Sequence, residues 1–112
     1  MLEIQTILKD FQIDRPTMNK ANTIEFLLQL LKGEVQEFEE SPTEDELADL
    51  AIFTFNIANA MGVDLDAAMR TKVAYNHARY SAGEFQDGDY GEARKKCKGT
   101  EVIWKEVFYP SK

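Results

Sequence analysis

The chain has 112 residues, with 13 Lys and Arg against 20 Asp and Glu and a formal net charge of −7. That length implies one domain, and a helical protein this small often completes its core by oligomerising, so a dimer or higher oligomer is expected. The acidic balance excludes sequence-independent nucleic-acid binding, which needs a basic stripe to neutralise phosphates. Cys97, the single cysteine, allows no intramolecular disulfide and has no zinc-ligand spacing, in keeping with a reducing cytosol. The N-terminus MLEIQTILKDF lacks a basic segment followed by an apolar stretch. No run approaches the roughly 20 apolar residues of a membrane span, so a soluble, cytoplasmic protein with no membrane partner is expected.

Leu2, Ile4, Ile7, Leu8 and Phe11 recur at helical spacing and predict a first amphipathic helix over 2–12. The stretch from Gln12 to Pro16 breaks it, because the residue before a proline is pushed out of the helical region. A second helix starts near Thr17 or Asn19 and runs through Ile24, Leu27, Leu28, Leu31, Val35 and Phe38 to about Glu40. Ser41-Pro42-Thr43-Glu44 reads as a turn feeding a capping box, with Ser41 as N-cap, Pro42 in the first helical position and Glu44 reaching back. The third helix carries Leu47, Leu50, Ala51, Thr54, Ile57, Ala58 and Met61, and Gly62 closes it in the left-handed conformation. Asp64 caps a fourth helix over Leu65 to Ser81, with Leu65, Ala68, Met69, Val73 and Tyr80 facing inward. Asp87, Gly88, Asp89 and Gly91 then form turns around a short helix from Tyr90 to Lys98, capped by Asp89 with Glu92 at its third position and ended by Gly99. The last stretch, TEVIWKEVFY, is rich in β-branched and aromatic residues and reads equally as strand or irregular extension.

The chemistry concentrates in two carboxylate pairs, Glu34 with Glu37 and Glu46 with Asp49, each three residues apart on consecutive helices. Residues three apart share a helix face, so each pair aims two hard oxygen ligands at one point across the helix seam. Either pair alone reads as a solvated face. Together they flank the apolar stripes, where four carboxylates would repel and lose hydration without a compensating cation. Oxygen-only ligands favour Mg²⁺, with Mn²⁺ as the alternative, and disfavour zinc. The absence of Glu-x-x-His pairs speaks against a di-iron centre. The one histidine, His77, reads as a surface residue.

On the fourth helix Lys72, Asn76, Arg79 and Tyr80 form a cationic and hydrogen-bonding stripe. By themselves they read equally as a snorkelling lysine, a polar surface residue and a core-edge tyrosine. Beside a metal face they become donors for the oxygens of a phosphate chain. Phe53 and Asn56 continue the Asp49 side of the third helix and can stack on a base and read its edge, although Phe53 also reads as plain core. Phe11, Arg15, Phe26 and Trp104 are further candidates for a base pocket.

These motifs resemble the MazG-like all-α nucleoside triphosphate pyrophosphohydrolases. The family's EExxE followed by ExxD is matched by GEVQE, Gly33 to Glu37, and ELAD, Glu46 to Asp49. The GVDL-type turn and K-x-x-x-N-x-x-x-Y stretch that follow in the family are matched within MGVDLDAAMRTKVAYNHARY. The resemblance covers about residues 20–81 and is closest in motif to the dCTP pyrophosphatase branch, which also looks like GEVGE at the first motif. Gly33 stands where many members have a glutamate, and the interval from Glu37 to Glu46 is shorter than the family's usual loop. The resemblance implies an antiparallel four-helix bundle in a single domain over 1–112, with a short irregular or extended tail from residue 84, assembled as a homodimer or homotetramer. It implies that Glu34, Glu37, Glu46 and Asp49 hold Mg²⁺, that Lys72, Asn76 and Tyr80, with Arg79 as a further donor, bind the triphosphate, and that Glu37 lies nearest the attacking water. The reaction implied is water attack at the α-phosphorus of an NTP or dNTP, releasing a monophosphate and pyrophosphate. On the same fold, a dUTPase-like or phosphoribosyl-ATP pyrophosphohydrolase activity is the enzymatic alternative. A non-catalytic nucleotide- or protein-binding helical module is the alternative from another class.

Overall fold

Threonine caps and one left-handed glycine set the helix boundaries. The computed structural model describes residues 1–17, 23–80, 86 and 88–98. It contains α1 (Glu3–Ile13), α2 (Ile24–Glu40), α3 (Glu44–Met61), α4 (Leu65–Arg79) and α5 (Tyr90–Lys98), and no strand occurs among the described residues. The protein is all-α, as its periodicity implies. The C-terminal stretch with Trp104, and the helix-ending Gly99, lie outside the described residues.

Both caps of the central hairpin differ from the sequence expectation. At the start of α2 the cap is Thr23, whose backbone is extended and whose hydroxyl accepts from the Phe26 N–H at 3.2 Å, while Thr17 is itself in helical backbone. Asn19, the other expected cap, lies outside the described residues. At the start of α3 the cap is Thr43, which accepts from the Glu46 N–H at 3.2 Å, so Ser41 and Pro42 precede the helix. The reason is that Ser41 is already used: its N–H donates to the Glu37 carbonyl at 2.9 Å and closes α2. A one-residue turn position then remains for Pro42 before Thr43 takes the extended conformation an N-cap requires. Gly62 ends α3 at φ 69°, as expected.

Packing divides the chain into two compact units, Met1–Asp66 and Ala67–Lys112. In the first, α2 packs along α3 and α1 also lies on α3, with Leu27 and Ala58 buried. A polar clasp accompanies this apolar seam. Gln5 is fully buried; its Nε2 donates to Asn59 Oδ1 at 3.0 Å and to the Val63 carbonyl at 2.7 Å, and its Oε1 accepts from the Leu65 N–H at 3.0 Å. Asn59 Nδ2 returns a bond to the Gln5 carbonyl at 3.2 Å. One side chain therefore ties α1 to the end of α3 and to the first N–H of α4. The Met1 ammonium pairs with Asp64 at 3.0 Å beside this clasp. Gln5→Leu should cost about 3 kcal/mol, because the Val63 carbonyl and Leu65 N–H would be buried without partners. Urea unfolding followed by circular dichroism measures that loss.

In the second unit α5 starts as expected, with Asp89 Oδ2 accepting from the Glu92 N–H at 3.1 Å, and it buries Ala93 and Cys97. The expected inward face of α4 is not found. No residue of α4 is buried, and Met69 and Val73 are exposed. Lys72 and Asn76 fall inside the arc spanned by Ala68, Leu65, Met69 and Val73, so this helix has no uniformly apolar side.

Candidate metal centre

The α2–α3 hairpin brings the two acidic motifs together. Ligand oxygens of Glu34, Glu46 and Asp49 all lie within 4.8 Å of one another, and the three residues are half-buried. Glu46 occupies the first turn of α3 because Thr43, three residues earlier, is the cap. Asp49 follows one turn later on the same face. Glu37, one turn beyond Glu34, is exposed and stands beside this trio. Its carboxyl is in hydrogen-bonding reach of both Glu34 and Glu46.

The electrostatics carry the mark of crowding. A hydrogen bond with Glu37, then loss of hydration, then repulsion from Glu37, Asp49 and Glu46 push the Glu34 carboxyl from its ordinary 4.5 up to about 7. Loss of hydration, followed by repulsion from Glu37, Asp49 and Asp45, raises Glu46 as well. Glu34 Oε2 and Glu46 Oε2 are each shielded from solvent, and among the described residues neither oxygen atom has a hydrogen-bond partner. Shielded polar atoms in proteins almost always have a partner. The donor set fits a hard divalent cation: an octahedral Mg²⁺ spans about 4.2 Å between opposite ligands, so small side-chain rotations would bring the three carboxylates onto one ion. A side chain added at Gly33 would meet no atom within 4 Å, so packing does not require glycine there.

Further along the same seam is a cavity of about 620 Å³, within the size range of small-molecule sites. Its walls include Leu8, Phe11, Phe26 and Phe53, with Arg15 and Asn56 as polar members. The Arg15 guanidinium lies 3.6 Å from the Phe11 ring centroid and donates to the Phe11 carbonyl at 3.0 Å. Asn56 is buried, and its Oδ1 has no hydrogen-bond partner among the described residues. Phe53 and Asn56 stand four and seven residues beyond Asp49, about 6 and 10 Å along the helix axis. The sequence-derived candidates Phe11, Arg15, Phe26, Phe53 and Asn56 thus line one cavity, and Phe53 is only half-buried instead of closed in the core.

On α4, Lys72 is exposed, while Asn76, Arg79 and Tyr80 are half-buried. The sequence reading missed Tyr75, which organises this face: the Lys72 ammonium lies 4.9 Å and the Arg79 guanidinium 5.4 Å from its ring centroid. Arg79 also lies 5.5 Å from the Tyr80 ring. The signal was present in the spacing, since Tyr75 is three residues after Lys72 and four before Arg79. His77 is exposed, as expected. Among the described residues no helix is long and apolar enough to cross a membrane. No protein-family model, curated protein or solved structure matches the chain.

Proposed function

We propose that this protein is an Mg²⁺-dependent nucleoside triphosphate pyrophosphohydrolase of the MazG type, built on an antiparallel four-helix bundle. The observation that supports it most is the pairing, along one helix seam, of converging carboxylates, two of whose shielded oxygens have no partner among the described residues, with an aromatic cavity one to two turns away. That interval suits a nucleotide, whose base is separated from its α-phosphorus by a single sugar. The resemblance of GEVQE, ELAD and the Lys72 to Tyr80 stretch to the family's motifs supports the same reading.

Glu34, Glu46 and Asp49 would hold Mg²⁺, or Mn²⁺ in its place, with Glu37 at their edge. When bound, the ion supplies positive charge against the oxygens of the reacting phosphate. Glu37 accepts the proton of the attacking water as its oxygen bonds to the α-phosphorus. The bond from that phosphorus to the α,β-bridging oxygen breaks, and pyrophosphate leaves. Phe53, with Phe11 and Phe26, stacks against the base, and the Asn56 carboxamide pairs with its edge. By the resemblance to the family's motif, Lys72, Asn76, Arg79 and Tyr80 would be the donors to the triphosphate oxygens.

The test is a panel of ribo- and deoxynucleoside triphosphates with Mg²⁺, reading monophosphate and pyrophosphate together. Equimolar release of both supports the reading, and affinity without product overturns it. Lys72→Ala and Asn76→Ala should each raise KM or lower kcat by about 10- to 100-fold, the loss of a charge-assisted bond of about 1.5–3 kcal/mol. Their melting temperatures should change little, because Lys72 is exposed and neither residue belongs to a buried core. Unchanged kinetics in both variants would remove the phosphate role.

A further inference from the structure

The aromatic cavity beside the metal seam has polar members of two kinds. Asn56 on its α3 wall and Gln12 on its α1 wall are 9 and 7% exposed, and each carries a carboxamide. Because Asn56 Oδ1 has no partner among the described residues, it is an acceptor that whatever fills the cavity must satisfy. Arg15 is the opposite case. It lines the same cavity but is exposed, its guanidinium stacked 3.6 Å from the Phe11 ring centroid and fixed by one bond of 3.0 Å to the Phe11 carbonyl. Its other N–H groups form a planar donor fork. Among the described residues Arg15 has no ion-pair partner and no carboxylate lines the cavity, so nothing there competes for that fork.

Resting on the reading that this cavity takes the base of a nucleoside triphosphate, we infer that Arg15 is a specificity-determining residue that selects guanine. Guanine has two acceptors, O6 and N7, on one edge and two donors, N1–H and the 2-amino group, on the next. The fork of Arg15 fits the acceptor pair in the bidentate contact that arginine most often makes with a base. The donor edge then meets Asn56 Oδ1 and the Gln12 carboxamide. Adenine sets an amino donor at position 6 against the guanidinium, which leaves that charge one acceptor and one repelled hydrogen. Uracil and thymine place N3–H between their two carbonyls and offer the fork no adjacent pair. Cytosine has N3 and O2 side by side, but O2 flanks the bond to the sugar, and a single ring spans less of the interval between an exposed fork and a buried carboxamide. The larger purine face also gains more from stacking on Phe11 and Phe53.

Steady-state kinetics of the full-length protein with Mg²⁺ compare dGTP, dATP, dCTP, dTTP and 7-deaza-dGTP, in which carbon replaces N7. The wild type should favour dGTP over dATP in kcat/KM by about 5- to 100-fold, the worth of one bidentate base contact. The 7-deaza analogue should lose much of that advantage, through KM. Arg15→Lys keeps the charge but not the fork, so it should bring dGTP down towards its 7-deaza analogue while changing the analogue far less. A wild type without a dGTP preference, or a preference that survives either change, overturns the inference and leaves the hydrolase reading standing. If no triphosphate is hydrolysed, that reading fails instead, and calorimetry with guanosine and adenosine in chelator tests the cavity alone. Guanosine bound more tightly than adenosine by the wild type, with the difference lost in Arg15→Lys, upholds the inference, and any other result overturns it.

Discussion

In the presence of a chelator, the protein should lose stability as the pH rises from about 4.5 to about 7, and Mg²⁺ should reverse that loss. The Glu34 carboxyl is raised to about 7 in the folded protein against an ordinary 4.5, and Glu46 is raised with it. Between those values the folded state holds protons that the unfolded chain has released. Stability from these groups is therefore complete below about 4.5 and is lost as pH climbs through 7. A cation replaces the missing protons. Its stabilisation should be small near pH 5 and grow towards pH 8, reaching about 2.7 kcal/mol at a hundredfold excess over its dissociation constant. For a domain of this size that is on the order of 10 °C in Tm. Glu34→Gln should act in two opposite directions at pH 8, raising Tm in chelator by removing a repelled charge while abolishing most of the response to Mg²⁺. Differential scanning fluorimetry across pH, with and without Mg²⁺, reads all of this. A Tm indifferent to Mg²⁺ and Mn²⁺ at pH 8 would remove the metal centre.

The larger functional effect is expected from the carboxylates of α3. Asp49→Asn and Glu46→Gln keep shape but remove a charge that the cation needs, and each should lower kcat by at least about 100-fold, the scale of losing one preorganised electrostatic contact at a reacting phosphate. Glu37→Gln should have a different signature. Glu37 stands beside the trio instead of within it, so its amide variant should keep most of the Mg²⁺-induced rise in Tm while losing turnover. Steady-state kinetics of the three variants beside their melting curves separate holding the ion from handling the water. Loss of the Tm response in Glu37→Gln would make Glu37 a ligand of the same rank as the others.

The acidic site was legible in the sequence because it is local: two i,i+3 pairs on helices joined by a short turn meet once the hairpin closes. The cavity was legible in part for the same reason, since Phe53 and Asn56 extend the Asp49 face of one helix. What remained hidden depends on tertiary choices among equivalent local signals. Ser41 and Thr43 are both good N-caps, and Thr43 prevails only because the Ser41 N–H closes α2. Gln5 sits among isoleucines and leucines at a helical position any polar residue could occupy, yet it is more deeply buried than any of its apolar neighbours because three backbone and side-chain partners converge there. Val73 was read inward from apolar character alone, and the Lys72 and Asn76 side chains in the same arc defeat that rule.

Hydrolysis in ¹⁸O-labelled water, with Mg²⁺ and a nucleoside triphosphate accepted in the substrate panel, tests the central claim most directly. Attack at the α-phosphorus puts the label in the nucleoside monophosphate and leaves pyrophosphate unlabelled, which is the result predicted, and chelator or Asp49→Asn should suppress it. Label appearing in pyrophosphate or inorganic phosphate, or release that persists without metal and without Asp49, would contradict the assignment of these carboxylates to that reaction.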